Sequence, residues 1–241
     1  MKKRNPSLFI LVVIFLSCSN GEKVESFYEN GKLKSEGYLV NGLKDGLAKL
    51  YYPSGQLKEE GLWRNDKQQG KWKFYNENGS LSGVINFKDN YQEDSAIFYY
   101  PHGVIKEKSF WKRGKLEGQA LIYHENSKLN QKGLWKNGLK NGDFITYYDD
   151  GRLLQKGTYV NGKEHGSFSS YYRNGKLLSE LQYKEGKLNG FGKYYFDNGS
   201  VEQEGNYFEG QFNGVWKIYN VDGKQISTRQ YDKGLLLTES K

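Results

Sequence analysis

Hydrophobic and polar positions along this chain keep one phase from residue 27 to residue 234. An aromatic recurs every 24 residues: Phe27, Tyr51, Tyr75, Tyr99, Tyr123, Tyr147, Tyr171, Tyr195 and Tyr219. Four residues after each stands Gly31, Gly55, Gly79, Gly103, Ser127, Gly151, Gly175, Gly199 or Gly223. Counting that residue as zero, +2 is aliphatic in every copy but the last, which has Gln225. Position +8 is always large: Leu39, Trp63, Phe87, Trp111, Trp135, Tyr159, Tyr183, Tyr207 and Tyr231. Five copies have glycine at +6, namely Gly37, Gly61, Gly133, Gly157 and Gly205. Alternation of this kind predicts a strand with +2, +6 and +8 on one face. A second strand follows, with apolar residues at +17 and +19 and the phase aromatic turned to the other face.

Every copy has Gly, Asn or Asp at +11, and three read Asn-Gly (41–42, 137–138, 161–162). These residues tolerate the positive φ of tight hairpin turns. Glycine is nearly as regular at +15 of the first eight copies, with Asp94 the exception. Each unit therefore reads as one hairpin, and since a lone hairpin is marginal in water, each must lean on the next. The expected fold is all-β: an elongated antiparallel β-hairpin repeat, a single-layer twisted sheet. Glycine within a strand weakens it. Its recurrence at +6 predicts that an aromatic ring from a neighbouring strand lies flat on the backbone there. The third and fourth copies depart from the pattern, with Ile85 and Ser109 at +6 and an irregular stretch from Asn90 to Asp94. Drift and a remodelled binding surface are the two explanations.

Composition agrees: 30 Gly, 20 Tyr and 13 Phe against 3 Pro in 241 residues suit short strands joined by turns. The net charge of +8 comes from interspersed bases and acids, the pattern of a solvated surface and not of a nucleic-acid patch. The N-terminus adds an address. Lys2, Lys3 and Arg4 precede an apolar run from Leu8 to Leu16, too short for the roughly 20 residues of a membrane span. The sequence Phe15-Leu16-Ser17-Cys18 resembles a bacterial lipoprotein signal, which implies diacylation of Cys18. Cys18 is the only cysteine, so no intramolecular disulfide forms. The chain divides into a signal peptide (1–17), a lipidated Cys with a flexible tether (18–26) and a repeat domain (27–241).

Catalytic chemistry is not visible. His102, His124 and His165 stand at turns, without a metal-spaced partner. Glu36, Glu59, Glu60, Glu180 and Glu204 fall at +4 or +5 between lysines, placed for cross-strand ion pairs. No catalytic residue, metal or cofactor is expected. The aromatic rows are the binding candidates: Tyr51, Trp63, Tyr75, Tyr99, Trp111, Tyr123, Trp135, Tyr147, Tyr171, Tyr195 and Tyr219. The competing role for the ladder is to staple one repeat to the next.

The stretches Gly133–Tyr148 and Gly157–Phe168 resemble the bacterial variant of the MORN (membrane occupation and recognition nexus) repeat, and the likeness extends over about residues 27–234. The resemblance implies a MORN-like meander serving as an interaction surface and not as an enzyme. Bacterial members are often described as antitoxins of toxin–antitoxin pairs. The expected function is a non-enzymatic scaffold in the bacterial envelope. It would be held to the membrane by a lipid on Cys18 and would bind a protein partner of unknown identity. Alternatives are a module binding envelope glycan or lipid headgroups through exposed aromatics, as in the more loosely similar choline-binding repeats, and an antitoxin or immunity-type protein.

Overall fold

The computed structural model describes residues 21–240, so the expected signal peptide and Cys18 lie outside the described residues. Those residues form 22 strand segments and no helix. They fall into two compact units that divide between Lys115 and Leu116. Within each unit the strands run as an antiparallel meander, neighbour paired with neighbour in sequence. The fold class expected from the repeat is thus the one observed.

The hairpin Leu57–Arg64 and Lys67–Tyr75 shows how a copy is built. Asn65 and Asp66 close it with φ of 48° and 60°. Both turn residues, +10 and +11, have positive φ in all nine copies, down to Lys233 (44°) and Gly234 (86°). This is the backbone of the mirror-image turn that matches strand twist. The regular glycine at +15 has the same cause: Gly46 sits at φ 114°, and Asp94, the exception, adopts 59°. A bulge at this point detaches Leu43–Lys44 from Gly46–Tyr51.

A second irregularity corrects the sequence reading. Leu50 pairs with Glu59, but the next residue, Tyr51, pairs with Leu57. Adjacent strand residues point to opposite faces, so Leu57 at +2 lies opposite Glu59 at +4 and away from Gly61 and Trp63. The aliphatic +2 position therefore joins the phase tyrosine and does not share a face with +6 and +8. One face, the glycine face, holds +4, +6, +8, +17 and +19. The other, the tyrosine face, holds +2, +5, +7, +16, +18 and the phase aromatic.

The core is a narrow row on the glycine face, and its buried members include Trp72, Ile85, Ala96, Phe144, Phe168 and Trp216. The expectation about +6 holds. A Cβ built on Gly61 would lie 2.1 Å from the Trp72 indole, and one on Gly157 would lie 2.3 Å from the Phe168 ring. Gly133 under Phe144 and Gly205 under Trp216 repeat the arrangement. These +17 rings interleave edge-to-face with the +8 rings, from Trp135 to Phe144, Tyr159, Phe168 and Tyr183, at 4.9–5.7 Å. Such geometry adds about 0.5–1.5 kcal/mol per pair beyond burial.

Two of the copies lacking the +6 glycine exchange large for small. Ile85 stands opposite Ala96, and Leu181 shares its copy with Gly192. Ser109 is buried and accepts a hydrogen bond from Trp111 Nε1 at 3.0 Å. The irregular third and fourth copies are thus compensated inside the row.

Copies are stitched at both turn rows. Beside the phase glycines, Tyr28 Oη donates to the Tyr51 carbonyl at 2.6 Å, and Tyr52, Tyr148 and Tyr172 repeat the bond 23 residues on. Asn30, Asn126, Asn174 and Asn198 reach carbonyls at the same separation. At the opposite turns, the Gly162 and Gly186 amides donate to the carbonyls of Lys140 and Glu164.

Residues 22–26, expected to belong to a tether, are instead part of the strand Glu22–Phe27 paired with Leu33–Val40. Val24 falls opposite Gly37, Ser26 Oγ lies 2.6 Å from Ser35 Oγ, and Lys23 bridges Glu25 and Glu36.

Candidate interaction surfaces

The aromatic residues singled out by the sequence divide between the two faces. The phase tyrosines are half-buried on the tyrosine face. Tyr51, Tyr75, Tyr195 and Tyr219 donate their hydroxyls to Glu36, Glu60, Glu180 and Glu204 at 2.7–2.9 Å. Lysines complete the network: Lys73 to Glu60 at 3.2 Å and Lys193 to Glu204 at 2.9 Å. Tyr99, Tyr123, Tyr147 and Tyr171 have Val84, Lys108, Lys132 and Lys156 at the corresponding +5 positions, where no carboxylate is offered.

Electrostatics follow from this arrangement. Burial and the Glu36 carboxylate push the Tyr51 phenol up to about 12. The Tyr51 hydroxyl, with Lys23 and Lys49, holds Glu36 below the usual carboxylate range, although burial opposes it. Burial likewise opposes ionisation of Glu60, but hydrogen bonds from Tyr75 and Lys73 outweigh it and the net shift is downward. These bonds lie within a hairpin, 15 residues apart. The staples between copies are made by the row one residue later, Tyr28, Tyr52, Tyr148 and Tyr172, which the sequence reading did not separate from the phase row.

The tryptophans lie on the glycine face. Trp63 packs edge-on to Trp72 at 5.5 Å and Trp135 to Phe144 at 5.7 Å, while Trp111 is held by Ser109. Their first duty is structural.

Two features were not anticipated. On the tyrosine face of the first two copies, Leu47 stands directly opposite Leu62, and Tyr38 packs on Gly46. All three are exposed, at 48%, 39% and 42%. The signal was present as apolar residues at +7 and +16, positions that are mostly polar in later copies. On the glycine face of the same copies is an open cavity of about 330 Å³ lined by Val24, Gly37, Leu39, Ala48, Leu50 and Trp63, among others.

The histidines have structural neighbours: His124 Nε2 lies 3.1 Å from the Tyr147 carbonyl, and His102 stacks on Tyr100. Among the described residues no group of three or more His, Cys, Asp or Glu is placed to hold a metal ion. No helix among them is long and apolar enough to cross a membrane, which says nothing of strands.

The hairpins match the family model described as MORN repeat variant over residues 23–41, 44–65, 68–89, 116–137, 140–161 and 164–185. The MORN repeat model matches residues 156–167 and 182–201. The variant model alone covers more than half of the chain, and the chain belongs to the MORN repeat family. That is a family of repeat scaffolds, often protein- or lipid-binding, and not a known enzyme family. No curated protein matches the chain.

Among solved structures, a TcdB2-TccC3-Cdc42 structure is 13% identical, with 89% of this chain and 13% of that one aligned and a TM-score of 0.22. The Photorhabdus luminescens Tc holotoxin pore is 12% identical over 88% of this chain and 12% of that one, at 0.23. A porin-like protein from Bacteroides uniformis is 10% identical over 90% and 92%, at 0.20. This chain thus spans about an eighth of the length of the first two. Scores this low carry no argument.

Proposed function

We propose that the chain is a non-enzymatic scaffold, tethered to a bacterial envelope membrane by a lipid on Cys18, that binds a protein partner across the tyrosine face of its first two copies. The observation that carries the reading is the exposed group Tyr38, Leu47 and Leu62. Cross-strand pairs bury such side chains only partly, and a contiguous apolar group rimmed by charge is a common mark of a protein interface. The rim here is the lysine–glutamate network of Lys23, Glu36, Lys49, Glu60 and Lys73. A partner of mixed charge with an apolar centre would complement it. The antitoxin and glycan-binding alternatives draw on no comparable feature.

The test has two arms. Envelope extract is passed over wild-type protein and over Leu47→Asp/Leu62→Asp, and retained proteins are identified by mass spectrometry. A partner kept by wild type and lost by the variant supports the interface; identical sets reject it. Metabolic labelling with a fatty acid should mark wild type and leave Cys18→Ala unmarked; equal labelling rejects the anchor.

A further inference from the structure

On the glycine face, one copy keeps the +6 glycine without a +17 ring to cover it. In four copies a ring at +17 covers the glycine at +6: Trp72 on Gly61, Phe144 on Gly133, Phe168 on Gly157 and Trp216 on Gly205. In the first copy those positions are Gly37 and Ala48. The glycine is kept but the ring is missing, and a Cβ on Gly37 would meet nothing closer than the Ala48 Cβ at 3.5 Å. A glycine inside a strand costs stability, and here no ring among the described residues makes use of it. The space left is the open cavity of about 330 Å³.

The filled sites define what fits the empty one. Trp72 sits between the +8 rings of its own and the next copy, Trp63 and Phe87, edge-on to both at 5.5 and 6.1 Å. A ring laid on Gly37 would sit between the corresponding residues Leu39 and Trp63, both of which line the cavity. At one filled site a lysine at +13 caps the ring: Lys140 Nζ lies 4.9 Å from the Phe144 ring centre and 4.6 Å from that of Tyr159. Lys44 occupies the matching place, with its Nζ 4.5 Å from the Trp63 ring centre. No carboxylate among the described residues is within ion-pair distance of that ammonium. An incoming ring would find one aromatic edge and one ammonium, that of Lys44, which can cover its face and meet an acid beside it.

We propose that Gly37, Ala48, Trp63 and Lys44 form a socket for an aromatic side chain presented by an acidic segment of a partner polypeptide. The polypeptide source follows from the filled sites, where the ring is a residue on an extended strand. The acidic context follows from Lys44. This socket opens on the glycine face, opposite Leu47 and Leu62, so it stands or falls independently of the interface proposed above.

The probe is the peptide acetyl-Glu-Trp-Glu-amide, titrated into the isotope-labelled protein and followed by NMR. Saturable shifts of the Gly37 and Ala48 amides and the Trp63 indole N–H are expected. Acetyl-Lys-Trp-Lys-amide should bind about fivefold more weakly, and Lys44→Gln should abolish that preference. Ala48→Phe restores the missing ring from within and should weaken the acidic peptide at least about tenfold. Should Ala48→Phe fail to fold, Ala48→Leu fills part of the same space and should show the same direction of loss. Undiminished binding to a folded Ala48 variant, or shifts confined to residues away from Gly37, would overturn the socket. Free indole-3-acetate binding as tightly as the peptide would overturn its assignment to a polypeptide.

Discussion

Trp216 covers the α-carbon of Gly205 so closely that a methyl group there would sit 2.4 Å from the indole. The indole N–H donates at 2.9 Å to the carbonyl of Asn206, the next residue along the same strand. A single glycine thus lets the ring both fill the core row and satisfy its one polar atom. The same relation, without the hydrogen bond, recurs at Gly157 and Phe168 and is absent at Gly37.

Gly157→Ala should therefore destabilise the protein by about 2 kcal/mol or more, since the methyl must displace the Phe168 ring. Gly37→Ala, made at the equivalent position, should be neutral or stabilising by about 0.5 kcal/mol, since its methyl makes an ordinary contact and the strand loses a glycine. Urea denaturation of both variants checks the contrast. Equal losses would show that the ring row does not set the cost.

Two adjacent tyrosines should behave differently. Tyr148 bonds to the Tyr171 carbonyl in the next copy at 2.8 Å, whereas Tyr147 has Lys132, not a carboxylate, at the corresponding +5 position. Tyr148→Phe should cost about 1 kcal/mol and Tyr147→Phe no more than about 0.3 kcal/mol. Thermal melts of the two variants decide it. The reverse order would return the stapling role to the phase row.

Ser127 is the one phase residue that is not glycine, and it holds the same left-handed backbone at φ 68°. Ser127→Gly should stabilise by about 1 kcal/mol. Gly175→Ala should lose a similar amount, about 1 kcal/mol, from backbone strain alone, because nothing lies within 4 Å of the added methyl. The midpoint of chemical denaturation reports both.

Acid should loosen the tyrosine face. Glu36, Glu60 and Glu204 each have a folded pKa below the ordinary value of 4.5. A depressed carboxylate adds stability above its unfolded pKa and loses it as pH falls through the folded value. Glu60→Gln should therefore cost about 1 kcal/mol at pH 7, and the difference from wild type should shrink steadily below about pH 4.5. Melting temperatures measured from pH 7 to pH 3 test this. A gap that stays constant with pH would mean that the Tyr75 and Lys73 contacts to Glu60 do not depend on its charge.

Much of this fold was legible because its rules are local. Turn residues with positive φ declare themselves as Asn-Gly, and the glycine at +6 announced a ring lying on it. What escaped depends on relations between strands. The slip between Leu50–Glu59 and Tyr51–Leu57 reverses the face of +2, and no alternation along one strand shows it. The Tyr28, Tyr52, Tyr148 and Tyr172 staples were visible only as doubled aromatics, since the carbonyl that each reaches is 23 residues away. The aromatic site candidates occupied two positions of the repeat, +8 for the tryptophans and the phase position for the tyrosines, and these lie on opposite faces of the sheet. The exposed Leu47–Leu62 pair went unread because each leucine alone is ordinary and only the register joins them.

The bonds between copies also bear on how such a chain changes length. Tyr148 reaches the Tyr171 carbonyl, Tyr172 reaches that of Tyr195, and the Gly162 and Gly186 amides reach Lys140 and Glu164. Excising residues 151–174 would bring Tyr148 to the Tyr195 carbonyl and the Gly186 amide to that of Lys140, so at these sites each donor exchanges one acceptor for its equivalent. Loss or gain of one whole 24-residue unit is then nearly silent in hydrogen bonding, whereas a single inserted residue would misalign both turn rows. Unequal recombination between copies would thus be filtered by reading frame of the repeat, and homologous chains should differ in length by multiples of its period.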